Sequence, residues 1–321
     1  MKILITGGAG FIGSNLAHYL LALEGEVLIV DDLSTGKVEN LDPRADFRCL
    51  DVRDEALVEL ARAWQPDVIV HLAAQISVAK SVAEPELTHS VNVDGTRRVA
   101  QAAVACGAER LVFASTAAVY GDPDPSLLPL VETCPTVPTN PYGASKLAAE
   151  QVIAETLRPA GVDFAIARLA NVYGPRQGAD GEGGVVSVFC NTLASGGKKL
   201  VINGDGKQTR DFVYVGDIVM GLVSMIGGDI AFAGTDGEEA AGIYHLSTGQ
   251  AVSVEYLAQS MQRISRVFAD FEYREAREGD IYASVLNPEK ALDVFEWQAT
   301  IELELGLTKT WEWYKTQKVP G

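Results

Sequence analysis

Two side chains four residues apart could together run acid–base chemistry on an alcohol. They are Tyr142 and Lys146 in Pro141-Tyr142-Gly143-Ala144-Ser145-Lys146. On a helix this spacing puts both on one face. An ammonium beside a phenol stabilises the phenolate and lowers its pKa from ~10, which suits a general acid/base at neutral pH. A cationic nicotinamide ring nearby would lower it further. The spacing alone is common on helix surfaces, so its weight comes from what precedes it. Thr6-Gly7-Gly8-Ala9-Gly10-Phe11-Ile12-Gly13 carries Gly7-x-x-Gly10-x-x-Gly13 between an Ile-rich apolar run and a segment with helical periodicity. Glycines there let the backbone approach a pyrophosphate, and the helix N-terminus offers N–H donors and the positive end of its dipole. Gly7, Gly10, Phe11, Ile12 and Gly13 are therefore candidate cofactor contacts. The next apolar run ends in Asp31-Asp32. A carboxylate there can accept both ribose hydroxyls and repels a 2′-phosphate, which favours NAD over NADP.

Further candidates lie at later run ends. Ser115-Thr116-Ala117-Ala118-Val119-Tyr120-Gly121 follows an apolar run, so the Thr116 hydroxyl can serve the same substrate oxygen as Tyr142. The plainer reading of Thr116 is a cap of its own turn. Asp51-Val52 could contact adenine, or Asp51 could cap a helix. In His71-Leu72-Ala73-Ala74 the small residues admit a cofactor to the backbone, while His71 reads as a satisfied structural histidine.

These residues must be positioned by alternating strands and helices. Strands are expected at Lys2–Thr6, Glu26–Val30, Asp46–Leu50, Asp67–His71, Arg110–Ala114 and Asp163–Arg168. Helices are expected at Phe11–Leu23, Asp54–Trp64, Pro85–Cys106 and Tyr142–Leu157, with Asp54 as a cap and Gly107 as a stop. The alternation predicts an α/β fold, a Rossmann-like doubly wound parallel sheet. Residues 1–168 form the expected NAD-binding domain. Residues 169–321 form mainly a smaller mixed α/β substrate-binding domain, with chain crossings back to the first. There the rhythm changes, with a loop over Gly174–Gly184, helices at Gly184–Ala194, Asp217–Ile226 and Ser253–Ile264, strands at Lys199–Ile202 and Ile243–Ser247, and a turn at Asp236–Glu239.

The chain has 321 residues, with 26 Lys+Arg against 43 Asp+Glu and a net charge of −17. A general nucleic-acid binder needs a basic face, so that class is excluded. No apolar run is long enough to span a bilayer, and the N-terminus lacks the apolar stretch of a signal peptide. Cys49, Cys106, Cys134 and Cys190 form no Cys-x-x-Cys pair, and the four histidines show no ligand spacing. Buried reduced thiols, no metal and a reducing cytoplasm are the expectations.

Taken together, these motifs resemble the extended short-chain dehydrogenase/reductase family, and within it the nucleotide-sugar 4-epimerases of the UDP-galactose/UDP-glucose type. The resemblance runs over essentially the whole chain. It is carried by the Gly7–Gly13 motif, Asp31, Asn92-Val93-Asp94-Gly95-Thr96, Thr116, Tyr142 and Lys146, and by three later motifs. These are Arg168-Leu169-Ala170-Asn171-Val172-Tyr173-Gly174-Pro175-Arg176, Arg210-Asp211-Phe212-Val213-Tyr214-Val215-Gly216-Asp217 and Arg277-Glu278-Gly279-Asp280. The resemblance implies that Asn171, Arg210 and Arg277 hold a substrate diphosphate, and that Asn92 supports the active-site helix and the cofactor. The cofactor set is completed by Leu33, Ser34, Thr35, Gly36, Asp51, Val52, Leu72, Ala73, Ala74 and Ser115, and the substrate set by Val78, Thr116, Val185, Asp280 and Ser284. A dianionic nucleotide diphosphate needs local cations in so acidic a chain, and Arg176, Arg210 and Arg277 fall in its second half. The resemblance also implies a homodimer formed through the helices of Pro85–Cys106 and Tyr142–Leu157.

The residues after Thr116 bear on the reaction. Related 4,6-dehydratases carry Asp-Glu there and the decarboxylases usually a Glu, whereas this chain has Ala117-Ala118, which transfer no protons. Return of hydride to the opposite face of C4 then completes an NAD-dependent 4-epimerisation through a 4-keto sugar. The glucose/galactose-restricted epimerases often hold a tyrosine at the position of Ser284, so a serine leaves room for an N-acetyl group. A UDP-glucuronate 4-epimerase is the alternative reading. A 4,6-dehydratase, a reductase releasing its cofactor and a non-catalytic NAD-binding protein stand behind it.

Overall fold

The protein was analysed as a computed structural model, which describes residues 1–178, 184–228, 230–233, 241–276 and 281–317. Seven parallel strands form its main sheet: β1 (Lys2–Thr6), β2 (Glu26–Asp31), β3 (Asp46–Cys49), β4 (Val68–His71), β5 (Arg110–Thr116), β6 (Asp163–Leu169) and, much later in the chain, Ile243–Leu246. Short strands intervene before that last one: β7 (Asn171–Tyr173), β8 (Lys199–Asn203), β9 (Thr209–Arg210) and β10 (Phe212–Tyr214). Ile243–Leu246 is therefore β11, and β12 (Val252–Ser253), β13 (Asp270–Arg274) and β14 (Ala283–Ser284) follow. The main order is β11-β6-β5-β4-β1-β2-β3, with the direction of winding reversing between β1 and β4. Ligands of such sheets bind beyond the strand carboxyl ends at that reversal.

The helices are α1 (Phe11–Ala22), α2 (Ala56–Trp64), α3 (Val78–Ala83), α4 (Pro85–His89), α5 (Gly95–Cys106), α6 (Pro141–Leu157), α7 (Val185–Ala194), α8 (Val215–Ile226), α9 (Val254–Ser265), α10 (Glu289–Phe295) and α11 (Leu303–Thr316). Alternate strand residues feed two cores. Ile3, Ile5, Val27, Ile29 and Val70 face one side with α1 and α8, while Leu4, Leu28, Ile69 and Leu111 face the other with α2, α5 and α6. This two-sided burial is why the strands read as unbroken apolar runs. A third core, including Phe189, Leu200, Leu257 and Trp311, belongs to the second half.

Several expected elements differ in detail. The predicted helix Pro85–Cys106 is interrupted by a π-helical segment, Ser90–Asp94, which carries Asn92. Apolar periodicity does not register one inserted residue, and such segments concentrate at functional sites. Gly107 does stop α5, with φ +70°. Asp54 is not the cap of α2: Glu55 holds that position, and Asp54 Oδ1 accepts from Ala56 N at 2.9 Å. β5 runs on to Thr116, and α8 begins at Val215. All four cysteines are free, but only Cys106 and Cys190 are buried: Cys134 is half-buried, and Cys49 is exposed on the edge strand β3. The turn expected at Asp236–Glu239 lies outside the described residues.

Candidate active site

A cleft partly open to solvent lies at the strand carboxyl ends. Gly7, Gly10, Phe11, Ile12 and Gly13 line it at one end. Gly7 has φ +73°, and a Cβ there would stand 2.6 Å from Ala73 N. A Cβ on Gly13 would reach within 2.2 Å of Gly7 O, so the turn closes only with glycine at both. The N-cap of α1 is Gly10, with no side-chain hydrogen bond, which leaves the first-turn N–H groups for a ligand. This cradle fits a dinucleotide diphosphate.

Asp31 ends β2 and lines the cleft beside this cradle. Its Oδ2 accepts from Ala9 N at 3.0 Å and its Oδ1 from Leu33 N at 2.9 Å. Burial holds its pKa above the ordinary carboxylate value, against the backbone donors, which lower it. Each oxygen keeps a lone pair for a ribose hydroxyl. Gly36 packs on this carboxylate, where a Cβ would stand 2.6 Å from Oδ1. Asp32 accepts from Ser34 N and Oγ, and both line the cleft with Thr35. Asp51 and Val52 also line it, though Asp51 is engaged with Arg53, whose hydrogen bonds lower its pKa. Leu72, Ala73, Ala74 and Ser115 complete this wall.

Tyr142 and Lys146 line the far end of the cleft. Asn140 caps α6 by accepting from Gly143 N at 2.9 Å, and Pro141 takes the first helical position. Gly143 is required there, since a Cβ would come within 2.5 Å of Ala118 O. Thr116 Oγ1 accepts from Ala118 N at 3.2 Å, and its side chain acts on the Tyr142 phenol. Burial raises the phenol above its usual pKa, and the Thr116 contact pulls it down. The expected depression of Tyr142 is therefore not produced by the protein's own groups. Lys146 is not yet directed at it: its Nζ donates to Ala114 O at 2.8 Å and lies 4.6 Å from the Phe113 ring centroid. Burial brings the Lys146 amine down to about 7, with Glu150 opposing.

Asn92 stands behind the cleft. It accepts from Gln75 N at 2.7 Å and donates to Ser145 Oγ at 2.9 Å. His71 is structural: Nδ1 meets Thr6 Oγ1 at 2.7 Å and Nε2 meets Thr96 Oγ1 at 2.9 Å.

The second-half candidates gather around Asp211. Asn171 N donates to Asp211 O, Asp211 N donates to Ser284 O, and Ser284 pairs with Arg210 in register between β14 and β9. Buried Asp211 in turn holds Thr248 and Gly249 through their N–H groups at 2.9 and 3.0 Å. Arg176 turns elsewhere, donating to Asn15 Oδ1 on α1 at 3.1 Å. Val78 and Val185 begin α3 and α7 and do not line the main cleft. Arg277 and Asp280 lie outside the described residues. Sequence reasoning missed the roles of Asp211, Glu150 and the Ala114 carbonyl. Only Glu150 had a signal, standing one turn beyond Lys146. Among the described residues no group of His, Cys, Asp or Glu could hold a metal, and no helix is long and apolar enough to cross a membrane.

Known proteins match this arrangement. Residues 3–229 match the NAD dependent epimerase/dehydratase family. A UDP-glucose 4-epimerase of Mycolicibacterium smegmatis is 37% identical over 324 residues, covering 99% of each chain. The structure of a UDP-glucose 4-epimerase with UDP-glucose from Thermotoga maritima superposes with a TM-score of 0.91, at 35% identity and 98% coverage of each chain. A dTDP-glucose 4,6-dehydratase from Streptomyces venezuelae with NAD bound matches at TM-score 0.86 and 32% identity, over 98% of this chain and 97% of that one. Matched over most of its length, and with a glycine cradle and Asp31 that fit its cofactor, this chain belongs to the NAD dependent epimerase/dehydratase family.

Proposed function

We propose that the protein is an NAD-dependent UDP-sugar 4-epimerase acting on UDP-glucose and UDP-galactose and accepting their N-acetylated counterparts. The observation that carries this reading is the turn after Thr116. Thr116 ends β5 and acts on the Tyr142 phenol, yet the next two side chains are the methyl groups of Ala117 and Ala118. Elimination of water across C5–C6 needs a further acid and base, and none stands at these two positions.

Tyr142 takes the proton of the substrate 4-hydroxyl, with Thr116 holding that oxygen. NAD, held by the glycine cradle and Asp31, would supply the acceptor for the C4 hydride and the means of its return to the opposite face. Tyr142 then gives its proton back to the 4-oxygen. Cationic charge must lower the phenol for this, and Lys146, freed from Ala114 O, supplies part of it. Asn171, Arg210 and Arg277 anchor the diphosphate while the 4-keto sugar turns. A small, 8%-exposed Ser284 across from Arg210 leaves room at C2.

Residues 169–321 are read mainly as the substrate side and 1–168 as the cofactor side. A homodimer through α4, α5 and α6 belongs to the same reading. Free cysteines fit a reducing, cytoplasmic compartment. The test is incubation with UDP-glucose, UDP-N-acetylglucosamine and UDP-glucuronate in turn, with products resolved by chromatography. Conversion of the first two to their 4-epimers is expected. Conversion of UDP-glucuronate alone would replace the reading with the uronate epimerase, and a 6-deoxy-4-keto product would replace it with a dehydratase.

A further inference from the structure

Lys146 is 4% exposed, and neither of its close contacts, the Ala114 carbonyl and the Phe113 ring, carries a net charge. A buried ammonium in such surroundings sheds its proton unless an opposite charge faces it. Tyr142 on α6 is a neutral phenol. His71 on β4 is held neutral, and the Lys146 charge disfavours its protonation. Arg168 on β6 carries like charge. Glu150, one helical turn on along α6 and also 4% exposed, is the acidic side chain whose charge acts on Lys146.

Glu150 is fixed in place. Arg168 donates to it twice, from Nε to Oε1 at 3.0 Å and from Nη2 to Oε2 at 2.7 Å, and Ser115 Oγ donates to Oε1. Arg168 Nη1 also donates to the Tyr120 hydroxyl at 2.7 Å. Tyr120 ends the 3₁₀ turn that follows Thr116. One arginine thus ties the helix of Tyr142 and Lys146 to the turn of Thr116. Breaking a buried pair of this kind is costly, so such a pair holds geometry firmly.

We propose that Glu150, clamped by Arg168 and Ser115, is a positioning residue that places the fixed negative charge needed to keep the buried Lys146 ammonium protonated beside Tyr142. This rests on the functional reading above for what Lys146 does. The direction of the electrostatics agrees: burial lowers Lys146 and Glu150 raises it.

The test uses NAD-loaded protein with ¹³C-labelled lysine side chains, comparing wild type, Glu150→Gln and Glu150→Asp. Removing the charge should move the Lys146 titration to lower pH by on the order of one unit. The alkaline limb of kcat/KM should move with it. Glu150→Asp keeps the charge and should hold the titration near that of wild type, whatever it does to rate. If Glu150→Gln does not fold because Arg168 is stranded, Glu150→Gln with Arg168→Gln is read against Arg168→Gln alone, so that only the Glu150 charge differs, and should titrate at lower pH. An unmoved Lys146 titration in the folded charge-free protein overturns the proposal, as does an equal shift in Glu150→Asp. A wild type that turns over no nucleotide sugar would defeat the functional reading separately, with the Lys146 titration still measurable.

Discussion

Asn92 Nδ2 lies 2.9 Å from Ser145 Oγ, and Ser145 Oγ donates to the carbonyl of Tyr142 at 2.8 Å. A side chain in the π-helical segment between α4 and α5 therefore braces the helical turn that carries the candidate acid/base. The same amide holds Gln75 through both its N–H and its C=O, at 2.7 and 2.9 Å. Asn92→Ala breaks three hydrogen bonds, one of them fully buried. We expect a loss of about 1–3 kcal/mol in urea unfolding and a fall in kcat. Unchanged stability and kcat would show the brace to be dispensable.

Tyr142→Phe keeps the ring and removes the phenol oxygen. Turnover should drop by ~10²–10⁴-fold, the usual cost of one general base, while the purified protein keeps its NAD. A rate near that of wild type would remove Tyr142 from the chemistry.

Asp31→Ala removes a buried carboxylate that accepts from Ala9 and Leu33. It also removes the negative charge that would face a 2′-phosphate. Weaker NAD binding and a smaller preference over NADP are expected in cofactor titrations. A preference as large as in wild type would assign the discrimination to another residue.

Ser284→Tyr puts a phenol ring at a position paired with Arg210. Turnover of UDP-N-acetylglucosamine should fall relative to UDP-glucose, so both rates must be measured. Equal ratios in mutant and wild type would rule Ser284 out as the gate.

His71 and His245 are both held to about 3, chiefly by burial, against an ordinary value of 6.5. Below pH 6.5 the unfolded chain takes up protons that the folded chain refuses. Stability should therefore fall as pH drops from 6.5 toward 3, by roughly 1.4 kcal/mol per pH unit for each histidine. Urea midpoints between pH 6.5 and 5 measure this, with buried Asp31 and Glu132, whose pKa values are raised, acting in the opposite direction. A proton resonance of either ring titrating near pH 6 would contradict it.

The first half of the chain was legible because its signals are local. Gly7, Gly10 and Gly13 meet one turn's steric demands, Asp31 ends an apolar strand, and Tyr142 and Lys146 share a helix face by spacing alone. Each follows from backbone geometry within a few residues. The π-helical segment around Asn92 was not legible, because one inserted residue leaves the apolar pattern almost unchanged.

Long-range pairing was decided only in three dimensions. β11 joins the main sheet beside β6, more than seventy residues away in the chain, and two-residue strands bring Arg210 against Ser284. Strands that short have no periodicity to read, and their partners are chosen by the packing of the whole chain. The same holds for Arg168, which the sequence marks only as part of a motif. Its position between Glu150 and Tyr120 exists because β6 lies beside β5, and burial there makes each of those charges depend on the others.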